Sequence, residues 1–147
     1  MSTSVDDAIR ALLLLMPRLV GRAKRTPPPA ELATFNLAPR HLSLLAYLLF
    51  EDSLTINELA ARLEVAPATV SLMVGDLSRK GVLLRREDET DRRRTIVSIA
   101  PEHHGAIDAW LGRGASAWRT ALSPLTADER RMFVDTLLAY ERAAGEL

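Results

Sequence analysis

The sequence between residues 55 and 99 runs TINELAARLEVAPATVSLMVGDLSRKGVLLRREDETDRRRTIVSI. Its last part predicts a β-hairpin, because an apolar run at 82–84 leads into a charged segment and a β-branched run at 95–99 leads out of it. The charged tip holds four acidic residues within five positions, followed by three consecutive arginines. Clustered like charges do not stabilise a hairpin, but arginines on a protruding ribbon suit a phosphate backbone or a narrow minor groove. The hairpin therefore points to DNA.

The residues before the hairpin predict two short helices joined by a tight turn. Apolar residues at 56, 59, 60 and 63 have helical spacing, and Pro67 suits the first turn of the next helix. The inner face of this second helix is predicted to hold Val70, Met73, Val74 and Leu77. Arg79 and Lys80 suit its last turn, and Gly81 suits the position after its end. Two such helices followed by a basic hairpin form a winged helix-turn-helix, whose second helix enters the major groove.

The chain resembles the MarR family of bacterial transcriptional regulators in the segments LAARLEVAPATVSLMVGDLSRKGVLLRRED (59–88) and TDRRRTIVSI (90–99). The pair formed by Asp91 and Arg93 matches that family's wing motif. The resemblance implies a mainly α fold of about six helices with a two- to three-stranded β wing. It also implies a homodimer bound to double-stranded DNA, at an operator that is a pseudo-palindrome.

The resemblance extends to the helices on either side of the helix-turn-helix. Residues 5–25 correspond to the first dimerisation helix, and residues 39–50 to the helix before the helix-turn-helix. Residues 101–147 correspond to two C-terminal helices. We therefore expect residues 39–100 to form the DNA-binding domain, and residues 1–38 and 101–147 to supply the dimerisation helices.

Composition agrees with a small globular regulator. The chain has 147 residues, 48% of them hydrophobic, which allows one domain of ordinary size or one protomer of a dimer. The absence of cysteine excludes disulfides, thiolate zinc sites and thiol redox sensing. The apolar run 11–16 is too short to cross a membrane, and the N-terminus has no basic region or clear cleavage site. We therefore expect a cytoplasmic protein without a membrane partner.

Charge is distributed unevenly although the formal net charge is zero. Residues 79–94 contain seven basic and four acidic residues, whereas residues 101–147 contain five basic and seven acidic ones. The distribution matters more for DNA binding than the sum does. The positive charge is concentrated where the predicted wing would meet DNA.

The N-terminal helix carries an apolar stripe that is broad for a surface helix. The candidate dimerisation residues are Ile9, Leu12, Leu13 and Met16 in this helix, and Phe133, Leu137 and Tyr140 in the last one. The other interpretation of such a stripe is ordinary core packing. The prolines at 27–29 must end the first helix, and residues 26–38 are predicted to be a linker. The inner face of the next helix is predicted to hold Leu42, Leu45, Ala46 and Leu49.

The C-terminal part predicts two further helices. Pro101 opens a long helix that ends at Ser123 and Pro124, with a bend predicted near its glycines at 112 and 114. Thr126 and Glu129 form the pattern of a capping box at the start of the last helix.

The candidate DNA contacts divide between the second helix and the hairpin tip. They are Pro67, Ala68, Thr69, Ser71, Leu72 and Arg79 in the helix, and Asp91, Arg92, Arg93 and Arg94 at the tip. The hydroxyls of Thr69 and Ser71 can bond phosphates or base edges. The resemblance implies that Asp91 orients Arg93 by a charge-assisted hydrogen bond. The alternative interpretations are that Thr69 and Ser71 are ordinary polar surface residues and that Asp91 has no role in orienting Arg93. The three arginines would then belong to a solvated charged loop.

The recognition helix departs from the family's pattern. Many relatives carry a basic residue where this chain has Leu72 and an acidic residue where it has Gly75, and Asp76 is displaced by one position. The helix is therefore poor in arginine and amide side chains. We expect specificity to rest more on the wing, on van der Waals contact from Pro67 and Ala68, and on DNA shape.

Arg40 and His41 are candidates for an effector pocket. The resemblance implies a small aromatic or anionic effector in a cleft between the scaffold helices and the winged domain. A position on the protein surface is the expected alternative for these two residues.

Metal binding and catalysis find little support in the sequence. His103 and His104 stand near Glu102 and Asp108, but adjacent histidines point in different directions on a helix and a third ligand is missing. The chain has no glycine-rich phosphate loop and no Ser/His/Asp set with interpretable spacing. We expect neither an enzyme nor a cofactor. A winged-helix module that binds protein instead of DNA, and a small helical enzyme or metal-binding protein, remain open as alternatives.

Overall fold

The structure, a computed structural model, describes residues 3–25 and 27–146. Its helices are α1 (Val5–Arg25), α2 (Pro39–Glu51), α3 (Ile56–Leu63), α4 (Pro67–Arg79), α5 (Pro101–Leu122) and α6 (Ala127–Gly145). Its strands are β1 (Ser53–Thr55), β2 (Leu83–Glu87) and β3 (Thr95–Ile99). The chain divides into two compact units, Met1–Trp110 and Leu111–Leu147, so α5 begins in the first and ends in the second. The fold is the mainly α winged helix-turn-helix that the sequence predicts.

The sheet has the order β1-β3-β2, and both strand pairs are antiparallel. Val97 in the central strand is fully buried and pairs with Leu54 of β1 on one side and Arg85 of β2 on the other. The sequence predicted the hairpin of β2 and β3 but did not decide whether the sheet has a third strand. β1 has three residues, which are too few to show the alternation that marks a strand.

The core of the first unit is formed by leucine and valine side chains from helices on the sheet. Its fully buried members include Leu44, Leu45, Leu59, Val70, Val74, Leu77, Val82 and Ile107. The predicted inner face of α4 is confirmed for Val70, Val74 and Leu77, whereas Met73 is only half-buried. These residues anchor α4, because replacing one buried leucine by alanine costs about 2–5 kcal/mol of stability.

The predicted inner face of α2 is only partly right. Leu45 is fully buried, but Leu42, Ala46 and Leu49 are half-buried, and the remaining buried positions are His41, Leu44 and Leu48. Apolar residues occupy most of the circumference of this helix, so their spacing alone does not fix which side faces inward. The packing of α2 on α3, β1 and β3 selects that side.

The predicted linker contains structure of its own. Residues 30–35 form a 3-10 helix, and its Leu32 is fully buried. A single buried leucine in a six-residue segment leaves no periodic signal in the sequence. The predicted end of the first helix is confirmed at Arg25, while residue 26 of the predicted linker lies outside the described residues.

The helix ends follow the predicted local chemistry. Gly81 has φ +82°, as expected for the left-handed position after α4. Thr126 and Glu129 form the predicted capping box, with Thr126 Oγ1 accepting from the Glu129 N–H at 3.2 Å. α5 continues through its glycines at 112 and 114 as one uninterrupted helix and ends at Leu122, immediately before Ser123 and Pro124.

Candidate nucleic-acid interface

A second capping box fixes the start of α3 and thereby the approach to α4. Thr55 Oγ1 accepts from the Glu58 N–H, and Glu58 Oε1 accepts from the Thr55 N–H, both at 3.1 Å. Glu64 ends α3 in the left-handed conformation with φ 56°. The chain therefore reverses within three residues before Pro67 begins α4, and the two helices pack against each other.

The exposed side of α4 begins at the helix start. Its predicted DNA contacts are all exposed: Pro67, Ala68, Thr69, Ser71, Leu72 and Arg79. Ala66 at the N-cap offers no side-chain oxygen, and Pro67 has no N–H. The Thr69 N–H donates to the Ala66 carbonyl at 3.0 Å, and the Val70 N–H donates to it at 3.3 Å.

The end of α4 is less basic than its sequence suggests. Asp76 Oδ2 lies 3.3 Å from Lys80 Nζ, and Asp76 Oδ1 lies 3.8 Å from Arg79 Nη2. Arg79 is the more exposed of the two cations, with 73% of its side chain accessible. One carboxylate thus offsets part of the charge of two cations at this end of the helix.

The wing tip is ordered by a local turn that the sequence analysis missed. Asp88 Oδ1 accepts from the Thr90 N–H at 3.0 Å and from Thr90 Oγ1 at 2.9 Å. These bonds lower the pKa of the Asp88 carboxyl, the backbone bond being the larger cause. The Asp-x-Thr pattern was the available signal, since an aspartate that accepts the N–H two residues on forms an Asx turn.

Asp91 and Arg93 form the predicted pair. Asp91 Oδ1 accepts from Arg93 Nε at 3.1 Å, and Asp91 Oδ2 accepts from Arg93 Nη2 at 3.3 Å. The Asp91 Oδ1 atom also accepts from the Arg93 backbone N–H at 3.1 Å. The side-chain bonds from Arg93, and after them its backbone bond, lower the pKa of Asp91. The guanidinium is oriented although 91% of the Arg93 side chain is exposed.

The other arginines of the wing are also exposed. Arg94 Nε lies 3.6 Å from Asp91 Oδ2, and the side chain of Arg92 forms no ion pair within the described part of the chain. Arg85 and Arg86 project from β2 and are exposed as well. The predicted DNA contacts of α4 and of the wing tip thus lie in one compact unit. Arg85 and Arg86 were counted in the charge of residues 79–94 but were not named as predicted DNA contacts.

A cleft of about 480 Å³ lies between the N-terminus of α2 and α4. It is lined by Arg40, His41, Thr69, Leu72, Met73, Asp76 and Arg79. The structure therefore brings Arg40 and His41 together with several predicted DNA contacts. The wall that α4 contributes has two apolar side chains, one hydroxyl, one carboxylate and one guanidinium.

The expected surface position of His41 is wrong. Only 2% of His41 is exposed, and its Nδ1 accepts from the Ala38 N–H at 2.9 Å, which caps the start of α2. Its Nε2 is buried and has no hydrogen-bond partner within the described residues. Burial, followed by the nearby charge of Arg40, lowers the pKa of His41. The imidazole is therefore neutral near pH 7, with its proton on Nε2.

Comparison with known proteins identifies the relatives of this winged unit. The MarR family model matches residues 35–94, from the end of the 3-10 helix to the wing tip. The HTH-type transcriptional repressor MdtR of Bacillus subtilis (strain 168) is 32% identical over 94 residues. Over these residues the chain is similar to the MarR family. The aligned residues make up 64% of this chain and 61% of MdtR, so the chain spans less than two thirds of that relative.

Two solved structures share the fold over most of its length. The S. aureus MepR–DNA complex is 23% identical and aligns over 88% of this chain and 96% of MepR, with a TM-score of 0.64. PcaV from Streptomyces coelicolor, in complex with its natural ligand, is 22% identical and aligns over 98% and 99%, with a TM-score of 0.64. At these identities the likeness shows the winged-helix fold.

Two helices of this chain have exposed apolar side chains. On α1 they are Val5, Ile9, Leu12, Leu13, Leu14, Leu15, Met16, Leu19 and Val20. On α6 they are Met132, Phe133, Val134, Leu137, Leu138 and Tyr140. All seven predicted dimerisation residues belong to these sets. Large exposed apolar patches are typical of interaction sites.

His103, at the start of α5, has a packing role. The His103 ring meets the Phe35 ring edge-on at 4.9 Å, whereas His104 is exposed. The described residues contain no group of three or more potential metal ligands. None of the described helices combines the length and apolarity that crossing a membrane requires.

Proposed function

We propose that this chain is a homodimeric transcriptional regulator that binds double-stranded operator DNA and represses transcription. The oriented but exposed guanidinium of Arg93 carries the proposal. A cation held in one orientation in open solvent suits a fixed polyanion, because part of its ordering cost precedes binding. The description of MdtR as a repressor supports the direction of regulation. The proposal includes a cytoplasmic location and no catalytic activity.

The proposed roles follow from where each residue lies. The first turn of α4 enters the major groove, with van der Waals contact from Pro67 and Ala68 and hydrogen bonds from the hydroxyls of Thr69 and Ser71. Arg79 meets a phosphate at the far end of the helix. In the wing, Arg93 enters the minor groove, and Arg92 and Arg94 neutralise phosphates on either side.

Assembly as a homodimer would bury the exposed apolar faces of α1 and α6. Stable interfaces cover about 800 Å² per partner, and both faces offer long side chains for that purpose. A symmetric dimer places two recognition helices about 34 Å apart, one turn of DNA. The proposed operator is therefore a pseudo-palindrome with half-sites about 10 base pairs apart from centre to centre.

A small aromatic or anionic effector is proposed to occupy the cleft between α2 and α4. Arg40 and Arg79 offer cationic groups there, and Leu72 and Met73 offer apolar contact. Because α4 forms one wall, a ligand that changes the position of α4 would alter its fit to DNA. A coupling of about 1–3 kcal/mol would lower DNA affinity about 5–150-fold.

The effector can be tested with salicylate-like acids and phenols. We expect the ligand that raises the thermal midpoint to weaken DNA binding, and Arg40→Ala to lose this response while its DNA affinity stays close to wild type. A ligand that stabilises the protein and leaves DNA affinity unchanged would contradict the coupling.

A protein-binding winged helix is the second candidate function. The specific observation in its favour is the side-chain composition of α4, whose exposed first turns carry no arginine, lysine, asparagine or glutamine. Such a module would use the apolar part of α4 and would not discriminate between DNA sequences.

Selection of DNA fragments by the purified protein separates these functions. We expect wild-type protein to enrich one pseudo-palindromic sequence from a random pool, and Arg93→Ala to enrich it weakly or not at all. Failure of the wild-type protein to retain DNA at low salt would refute the proposal and favour the protein-binding module.

A further inference from the structure

The outward stripe of α4 is apolar at its centre. Ala68, Leu72, Gly75 and Arg79 are spaced by four, three and four residues, which places them on one line along the helix. Gly75 itself is buried, and Ala68, Leu72 and Arg79 are exposed. This line lies opposite the buried side of the helix, where Val70, Val74 and Leu77 are anchored in the core. Leu72 stands in the middle of the stripe with 76% of its surface exposed.

The stripe offers few groups that could hydrogen-bond to a base edge. Ala68 and Gly75 carry no polar side-chain atoms. Arg79 Nη1 lies 3.4 Å from the point where a Cβ on Gly75 would stand, so the guanidinium folds back along the helix. The same guanidinium lies 3.8 Å from Asp76 Oδ1. Reading of bases from the middle of this stripe must therefore use apolar contact.

The DNA group that matches an exposed leucine in the major groove is the C5-methyl of thymine. It is the only apolar group that the base pairs present in that groove, and it distinguishes thymine from cytosine and from uracil. Covering the methyl and the leucine together removes apolar surface of both from water, which is favourable. A hydrogen-bonding base edge against Leu72 would instead lose its water without a replacement.

A protein partner fits this stripe less well than DNA does. Leu72 has Thr69, Ser71 and Arg79 around it, and Ala68 is its one apolar neighbour on the line. A stable protein interface needs about 800 Å² on each side. One leucine and one alanine between polar side chains can cover a group about the size of a methyl. The extended apolar faces of this chain lie on α1 and α6 instead.

We propose that Leu72 is a specificity-determining residue that recognises the C5-methyl of one thymine in each half-site of the operator. This inference rests on the proposed DNA binding by α4 and goes beyond it, since it names the group that is recognised and the type of interaction. It replaces the polar base contact that a basic or amide side chain would make at this position.

The first experiment removes the methyl group and leaves the hydrogen-bonding groups unchanged. A duplex enriched by the wild-type protein is synthesised with each thymine in turn replaced by deoxyuridine, and affinities are measured by fluorescence anisotropy. We expect one thymine in each half-site to weaken binding about fourfold when its methyl is removed, the effect of one buried methyl group. The remaining thymines should change affinity by less than about twofold. At the sensitive position, 5-methylcytosine should bind about fourfold more tightly than cytosine.

The second experiment assigns the methyl effect to Leu72. The deoxyuridine series is repeated with Leu72→Ala, and we expect its affinity to be the same with and without the methyl. Phe50→Ala is the matched control, because Phe50 is 79% exposed at the end of α2 and should keep the fourfold effect. Thermal midpoints of both variants should equal that of the wild type, since both side chains are largely exposed.

The outcomes separate this inference from the proposed function. An unchanged methyl effect in Leu72→Ala would mean that the methyl acts through DNA shape, which overturns the inference. A wild-type protein that enriches a sequence but ignores every methyl also overturns it and leaves the proposed function standing. A wild-type protein that enriches no sequence overturns both.

Discussion

The carboxylate of Asp91 accepts hydrogen bonds from Arg93 Nε at 3.1 Å and from Arg93 Nη2 at 3.3 Å, while the arginine side chain remains 91% exposed. Two opposing effects on DNA binding follow from this geometry. The carboxylate orders the guanidinium before DNA arrives, which lowers the entropy cost of contact. In the proposed complex it would also place a negative charge beside the phosphate backbone, which weakens nonspecific attraction.

The balance of these effects predicts the order of two variants. Arg93→Ala should weaken binding to the selected operator by about 1–3 kcal/mol, the usual range for one specific contact. Asp91→Ala should weaken it less, because the cation stays but loses its orientation. Fluorescence anisotropy at fixed salt measures both. Tighter operator binding by Asp91→Ala than by wild type would mean that repulsion outweighs orientation.

The same pair predicts how the wing titrates. The hydrogen bonds from Arg93 lower the pKa of Asp91, so their contribution is present above the ordinary aspartate pKa and is lost as pH falls through the lowered value. Between pH 5 and 8 the pair should therefore not change. Carbon NMR of the Asp91 carboxyl should give a lower midpoint in wild type than in Arg93→Ala. Equal midpoints would contradict the hydrogen-bonded pair in solution.

The wing should also determine much of the salt dependence of binding. Replacing Arg92, Arg93 and Arg94 by alanine removes three cations near phosphates, and each lost phosphate contact should lower the salt slope by about 1. Arg131→Ala on α6 is the control for a lost charge elsewhere and should leave the slope unchanged. If the triple variant binds the operator as tightly as wild type at moderate salt, the wing does not contact DNA.

The sequence was sufficient to predict α4 and the wing because their signals are local. Pro67 sets the helix start, Gly81 with φ +82° follows its end, and apolar spacing marks the buried side between them. The Asp91–Arg93 pair was implied by the family resemblance, and it joins residues two positions apart. The contacts of these residues with DNA remain predictions.

The position of His41 could not be predicted in this way. α2 is apolar around most of its circumference, so spacing did not show which side packs inward, and the buried side is determined by β1, β3 and α3. The partner of His41 Nδ1 is a backbone N–H of Ala38, a group that every residue except proline has. The cleft next to it forms only when α4, nearly thirty residues later, folds against this site.

Burial of His41 predicts a loss of stability in mild acid. Its pKa is lowered in the folded protein, so the unfolded chain takes up a proton at higher pH. The stabilisation is complete above the ordinary histidine pKa and is lost as pH falls through the lowered value. Protonation would also remove the acceptor that caps α2. We expect the thermal midpoint to fall in this window for wild type.

His41→Asn is the matched test of this titration. Its side-chain oxygen can replace Nδ1 as the acceptor of the Ala38 N–H, and it does not titrate. The variant should lose the histidine-dependent part of the slope of thermal midpoint against pH, while His104→Asn, at an exposed position, should keep it. The same slope in wild type and His41→Asn would show that another group is responsible.

Dimerisation is predicted to depend on the apolar stripe of α1. Leu12→Glu combined with Met16→Glu places two charges within that stripe, where burial would cost several kcal/mol. Wild type should scatter light as twice the 16.2 kDa of one chain at micromolar concentration. The double variant should aggregate or partly unfold, because the remaining apolar side chains on α1 and α6 stay exposed. Arg10→Glu with Arg18→Glu alters charge at two exposed positions of the same helix outside the apolar set and should remain dimeric. A wild-type chain that is a stable folded monomer, or a Leu12/Met16 variant that is still a dimer, would refute the assembly.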